Sequence, residues 1–193
     1  SFPTLFGEDR QPKSEFILIP LHSSENRKYI PMGFFAPTNI PNNSCSIIEG
    51  ATFFHFGILH SQMHMAWVRS ICGRLESRFR YSNTIVYNNF PWPDDPSEKQ
   101  IKSIESAAKK IIDVRAEFPD SSPADLYDPR SMPPKLVKAH NDLDKAVDLA
   151  YRPYPFPSDA KRLEWLFDLY DKYTAGLFKD EKTTAKRKTA KSK

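Results

Sequence analysis

Residues 53–81, FFHFGILHSQMHMAWVRSICGRLESRFRY, change their period part-way along. In the first stretch Phe56, Leu59, Met63, Trp67 and Ile71 recur at spacings of three and four. That is the period of a helix with one buried face, predicted over 53–72 with Gly73 placed to stop it. From Arg74 to Tyr81 the pattern alternates: charge falls on 74, 76, 78 and 80, while Leu75, Ser77, Phe79 and Tyr81 take the other parity. In a strand, this sets four charged side chains on one face and mainly apolar or aromatic ones on the other. A buried helix running into a charged strand reads as an α+β chain.

Working outward from this stretch, Glu15–Pro20 (EFILIP), Lys28–Phe35 and Cys45–Glu49 are short, β-branched or aromatic, and bounded by Pro, Asn, Ser or Gly, as strands are. Thr84–Tyr87 is a further short strand candidate, closed by Asn88-Asn89-Phe90-Pro91-Trp92-Pro93. Prolines then mark a boundary, and the rest reads as helices. The first runs over 97–117, with Asp95 as its cap, Pro96 in its first turn and a stripe of Ile101, Ile104, Ala108, Ile111, Ile112 and Phe118. The second spans 134–151, with Leu136, His140, Leu143, Val147 and Ala150 inward. The third starts near Ser158, a good capping residue, and uses Leu163, Leu166, Phe167, Tyr170 and Tyr173. The expected division is a mixed part over 1–93, a small helical bundle over 94–178, and a basic tail over 179–193.

A chain of 193 residues, 39% hydrophobic and 13% aromatic, can bury a core in one ordinary domain or two small ones. Seventeen prolines against six glycines point to stiff turns rather than a glycine-rich phosphate cradle. The formal charge of +4 invites a nucleic-acid reading, but its location weakens that. Between Glu181 and Lys193 six basic residues face one acid, a net +5 that leaves the other 180 residues at −1. This Lys-, Thr- and Ala-rich tail has no apolar period and is expected to be disordered; it adds unspecific attraction to phosphate and specifies no sequence. Cys45 and Cys72 make no disulfide scaffold and fit a reducing, cytoplasmic setting. No secretory leader opens the chain and no run approaches the roughly 20 apolar residues of a membrane span. The abrupt start, with a strand following almost at once, reads as a fragment of something longer.

The charged face from Arg74 to Arg80 admits two readings. Arg can donate two hydrogen bonds to the O6 and N7 edge of guanine and Glu can accept from the amino group of cytosine, so residues two apart could read adjacent base pairs. Alternatively, the face is merely solvated, with Glu76 neutralised by its neighbours. His60 and His64 stand four apart, with His55 and Cys72 nearby, yet no Glu completes a zinc-hydrolase motif. Packed, hydrogen-bonded core histidines are the better reading, and a buried thiol the better reading of Cys72. Asn88–Pro93 suggests the base-holding motif of amino-methyltransferases, but no two prolines are adjacent and no glycine-rich loop follows a strand. A structural cap is the expected role, and no catalytic residue or metal ligand is assigned.

Several motifs in order resemble one family. They are Phe6–Lys13 (FGEDRQPK), Ser24–Phe34 (SENRKYIPMGF), His55–Leu59 (HFGIL), Met63–Arg69 (MHMAWVR), Gly73–Leu75 (GRL), Arg80–Ser82 (RYS) and Val86–Pro93 (VYNNFPWP). Ala124–Pro129 (ADLYDP), Met132–Pro134 (MPP) and Ala139-His140 continue the likeness into the helices, as far as about Thr174. Together they look like the C-terminal region of MmeI-like restriction–modification enzymes, which combine nuclease, adenine methyltransferase and target recognition in a single chain. The resemblance implies the later part of a target recognition domain up to Pro93 and a helical C-terminal domain after it. It implies duplex DNA as partner and an upstream methyltransferase domain in the same chain. That whole enzyme would use S-adenosylmethionine, and magnesium for cleavage, with no cofactor in this part. It also makes the variable pair between the GRL and RYS motifs, here Glu76 and Arg78, a base-reading determinant with Arg80 beside it. Asn43 and Ser44 are weaker base-reading candidates. Arg27, Lys28 and Arg69 are candidates for positioning phosphates or, equally, for structural salt bridges. The rival class is a helical protein-interaction module without base-specific binding.

Overall fold

The computed structural model describes residues 11–190, the last fifteen as backbone only. The start of the FGEDRQPK motif and residues 191–193 lie outside the described residues. The described residues up to Arg80 contain two antiparallel three-stranded sheets. In the first, β1 (Phe16–Pro20) is central between β3 (Gly33–Phe35) and β4 (Cys45–Glu49). In the second, β6 (Arg78–Arg80) is central between β2 (His22–Ser23) and β5 (Gly73–Leu75). β1 and β2 follow each other directly, so Leu21 is the single residue at which the backbone passes from one sheet to the other.

The apolar stretch 53–72 forms two helices, not one: α1 (Phe53–Leu59) and α2 (Gln62–Ile71). Ser61 divides them. Its hydroxyl donates to the carbonyl of Ile58 at 2.7 Å and accepts from the amide of His64, ending one helix and capping the next. Gly73 stops nothing; Cys72 is already extended and Gly73 opens β5. Of the strand expected over 28–35, only Gly33–Phe35 pairs, with β1. The carbonyls before it are taken by side chains: Gln62 and Arg69 donate to Lys28 O, and Arg115 donates to Met32 O at 2.8 Å. Thr84–Tyr87 lies in a π-helical turn, Asn83–Tyr87, despite its β-branched residues. The Trp67 indole N–H claims the carbonyl of Val86 and the Asn89 amide those of Thr84 and Ile85, so tertiary partners override propensity.

The helices after Pro93 are α3 (Glu98–Ala116), a single turn α4 (Pro123–Leu126), α5 (Pro134–Tyr151) and α6 (Asp159–Ala190). Ser97, not Asp95, caps α3, in a reciprocal capping box with Gln100; Asp95 has φ of +49° and Pro96 precedes the cap. Ser158 does accept from the amide of Lys161 at the start of α6. The expected tail, 179–193, falls on the backbone-only end of α6 and beyond the described residues. Asn88–Pro93 serves as structural cement: Phe90 is buried, Tyr151 donates to Pro91 O at 2.8 Å and Tyr173 to Trp92 O at 3.0 Å.

One core runs through both halves. Phe56, Ile58 and Leu59 of α1 share it with Ile104, Ala108 and Ile111 of α3 and Leu143 and Val147 of α5, while Trp67 of α2 meets Phe167 and Tyr170 of α6. Polar groups are buried in this junction too. Asp144 of α5 accepts from the hydroxyl of Tyr29 at 2.7 Å and from the amide of Gln62 at 2.8 Å. Tyr29 stacks on His140 with 3.8 Å between centroids, and His140 bonds Tyr127 at 2.8 Å. His64 bonds the hydroxyl of Tyr81 at 2.9 Å. Asp148 holds Arg162 in a two-point pair, with only 3% and 12% of the side chains exposed.

Helix α1 comes close to α3 and α5 at Gly57, where a Cβ would stand 2.6 Å from Ile104 Cγ2, 3.2 Å from Leu143 and 3.3 Å from Ala108. Gly57→Ala should therefore lose stability despite alanine's helix propensity, by about 1–3 kcal/mol of overpacking less roughly 1 kcal/mol of propensity. Urea unfolding measures it; a midpoint at or above that of the parent would contradict this packing.

Candidate nucleic-acid interface

The alternating stretch 74–81 is a two-residue hairpin rather than one strand, and the turn resets the parity. Leu75 pairs with Arg78, Arg74 with Phe79 and Gly73 with Arg80. Paired residues share a face, so Arg78 and Arg80 lie on the exposed face with Leu75, while Arg74 and Phe79 lie on the inner one. The expected row of four charges on one face is thus corrected to two, with Glu76 at the tip. Arg74 is folded over the ring of Phe79, 4.2 Å from its centroid, and donates to the carbonyls of Ser77 and Arg69. It fastens the turn to the end of α2.

Glu76 takes φ of +57°, the left-handed region, at the first loop position of the hairpin. Tight hairpins need positive φ there, and a non-glycine residue holds it at a cost of about 1–2 kcal/mol. Arg78 Nη2 donates to Glu76 Oε2 at 2.7 Å, with 51% and 74% of the two side chains exposed. Such a pair contributes little to stability in water, roughly 0–1 kcal/mol.

Asn43 and Ser44 are exposed in the loop before β4, where Asn42 Oδ1 accepts from both the amide and the hydroxyl of Ser44. This loop reaches the hairpin through one residue. The amide of Leu21 donates to Ser44 O at 2.9 Å, and Leu21 O accepts from the amide of Tyr81 at 2.8 Å. The structure thus brings loop 42–44 and Arg80 to the same crossing of the two sheets.

Arg27, Lys28 and Arg69 gather elsewhere, at the junction with the helices. Arg69 donates to Gln62, to Lys28 O and to Asp159, the last at 2.8 Å. Arg27 donates to Ala124 O at 3.3 Å, and Lys28, exposed, stands 3.4 Å from Asn141 Oδ1.

Two residues beside the hairpin escaped the sequence reading. His22 pairs with Arg80 across β2 and β6, and Ser23 with Phe79. The same register continued puts Glu25 against Ser77. Its carboxyl is held below the usual range by its own backbone amide, then by the hydroxyl of Ser77 and by Arg74 and Arg78. Only the pairing of residues 58 apart reveals them; both sit in the SENRKYIPMGF motif or just before it.

Three of the five histidines are core residues. His60, His64 and His140 are fully buried, and among the described residues no group of three or more His, Cys, Asp or Glu is placed to hold a metal. Burial drives His64 down to about 3, and drives His60 and His140 well below their ordinary value, with help from Arg115. Burial also raises the Cys72 thiol. Asp144 is pushed up to about 6 by burial, against the bonds from Gln62 and Tyr29.

Two family models match this chain in order: MmeI, target recognition domain, over residues 1–94, and MmeI, C-terminal domain, over residues 96–178. Over 172 residues the chain is 41% identical to DNA methyltransferase A of Bacillus subtilis (strain 168), covering 89% of this chain and 19% of that protein. A solved structure of the Type IIL restriction–modification enzyme MmeI in complex with DNA matches with a TM-score of 0.82 and 47% identity, over 86% of this chain and 22% of that one. The chain spans about a fifth of the length of these relatives. Among the described residues no helix is long and apolar enough to cross a membrane.

The buried groups give the fold a signed response to pH. The three histidines stay neutral when folded but take up protons below about 6.5 when unfolded, so their stabilisation is complete above that pH and is lost as the pH falls. Asp144, raised to about 6, works the other way: its contribution is present near pH 4 and is lost as the pH rises through 6. Three groups outweigh one, so the melting temperature should fall from pH 7 to pH 5. It should fall more steeply in Asp144→Asn, which lacks the opposing carboxylate. Parallel melting curves for the two proteins across that range would contradict the assignment.

Proposed function

We propose, on the premise that this chain belongs to the MmeI family, that it carries base-reading residues for a restriction–modification enzyme whose methyltransferase lies upstream in the same polypeptide. The observation that carries the reading is the exposed tip Glu76–Arg78 with Arg80 on one hairpin face, where the Arg78 side chain pairs with Glu76 outside the core. Arg and Glu are the side chains that recognise the guanine edge and the cytosine amino group in a major groove. The Arg78–Glu76 bond is cheap to break or reorient, so the pair can exchange its mutual contact for bases. Asn43 and Ser44 approach the same edge across Leu21 and supply a second polar contribution.

Phosphate positioning falls to Lys28, the exposed member of its group. Arg69 and Arg27 act from behind, holding α2 and the β2–β3 connection against the helices. The whole enzyme flips an adenine and methylates its exocyclic nitrogen with S-adenosylmethionine, uses magnesium where it cleaves, and works in the cytoplasm. The fold supports a recognition role in one further way: the hairpin is continuous with α2, so its aim is fixed by a packed helix rather than by a loose loop.

Exchanging Glu76→Lys together with Arg78→Asp in the full-length enzyme should change the methylated sequence at one base pair. Both residues at 76 are non-glycine, so the turn is equally strained before and after. Sequence-resolved methylation of a duplex library measures it, and a bidentate contact predicts about 1–3 kcal/mol of discrimination. An active enzyme with an unaltered recognition site would overturn the assignment of these two residues.

A further inference from the structure

We infer that His22 is a specificity-determining residue that works as a pair with Arg80, a second reading pair beside Glu76 and Arg78. The inference rests on the base-reading role proposed above and adds a residue to it.

β6 is the central strand of its sheet, so Arg80 has a cross-strand neighbour on each side: Gly73 on β5 and His22 on β2. Gly73 offers no side chain, and a Cβ built there would meet only the carbonyl of Arg80, at 3.8 Å. His22 is therefore the one cross-strand side chain within this sheet that stands next to Arg80. It is exposed, as Arg80 is, while the next pair, Ser23 and Phe79, faces inward and is buried.

The ladder also sets how close they stand. The amide of Tyr81 donates to Leu21 O, so the 21/81 pair is a hydrogen-bonded one, and His22/Arg80 is the adjoining non-hydrogen-bonded pair. Side chains approach most closely in that pair type, with Cβ atoms about 4.5–5.5 Å apart. An imidazole at that distance restricts the directions the guanidinium can take. It also presents a ring nitrogen on the same face, able to donate to a purine N7 or O6. His22, exposed, also lines a cleft of about 470 Å³ shared with Leu18, Pro20 and Arg27. Neither strand of this pair lies in a mobile tip: His22 follows Leu21, the crossing of the two sheets.

The test uses the full-length enzyme with four variants: His22→Ala, His22→Gln, Arg80→Ala and the double His22→Ala/Arg80→Ala. Methylation is read on duplexes substituted at each base pair of the site. Arg80→Ala identifies the pair that Arg80 reads. His22→Ala should lower discrimination at that pair or the adjoining one by roughly tenfold. The double variant should be little worse than Arg80→Ala alone, because the two act together, and His22→Gln, which keeps a donor, should retain part of the preference. His22 is exposed, so unchanged melting temperatures should accompany these effects. Unchanged discrimination in His22→Ala, a loss equal on all duplexes, or additive losses in the double variant would each overturn the pairing. If Arg80→Ala itself shifts no base pair, the base-reading role of Arg80 fails first, and this inference with it.

Discussion

The carboxylate of Asp144 is taken out of water between the two halves of the chain, and its bonds tie the start of α2, and through it the hairpin, to the helical part. Burial alone would push it toward the neutral form, and it does raise its pKa to about 6. It is kept in place by two donors from the other half, the hydroxyl of Tyr29 and the amide of Gln62. The second bond matters most for geometry, because Gln62 is the first residue of α2. A carboxylate bonded to the first turn of a helix also meets the positive end of its dipole. Helix α2 is thus pinned at its start by α5 and along its side by Trp67 against α6. It spans about 15 Å at 1.5 Å per residue and delivers the chain, through Cys72, directly into the hairpin. The helical part is the abutment from which the hairpin is aimed.

How much of this the sequence disclosed depends on whether the determining contacts are local. Helix α5 is legible to its ends, because eighteen residues of unbroken amphipathic period begin at a proline in the first turn. The break at Ser61 was marked only by the short polar run His60-Ser61-Gln62, and the apolar period runs on through it. The hairpin was hidden by its own turn. Glu76-Ser77 carries none of the Asn-Gly or Asp-Gly chemistry that announces a two-residue loop, and the alternation of charge continues across it. The alternation is real, but the fold uses half of it inward. Residues 84–86 were misread for the opposite reason: their propensity is for a strand, and an indole and an amide from elsewhere settle the matter.

Within the candidate site, Glu76, Arg78 and Arg80 were legible as a cluster because they are near in sequence. Their relation to Asn43 and Ser44 was not, since it passes through two backbone bonds of Leu21. His22 and Glu25 could not be found at all without the register of β2 on β6. Arg27, Lys28 and Arg69 carried two open readings, and the structure gives each of them a protein partner at the junction.

The arginines of this region separate by what satisfies them. Arg69 and Arg74 donate to the backbone carbonyls of Lys28, Ser77 and Arg69, so replacing either removes bonds that fix the hairpin's footing on α2. Among the described residues the Arg78 side chain bonds the exposed carboxylate of Glu76, in an ion pair that adds little to the folded state. The same strand-and-turn unit therefore contains residues whose loss would disturb the fold and residues whose exchange would leave it nearly untouched. The separation comes from the two-residue turn, which places Arg74 on the inner face of the sheet and Arg78 and Arg80 on the outer one, and the proposed base-reading role requires it, since bases must change without the scaffold changing.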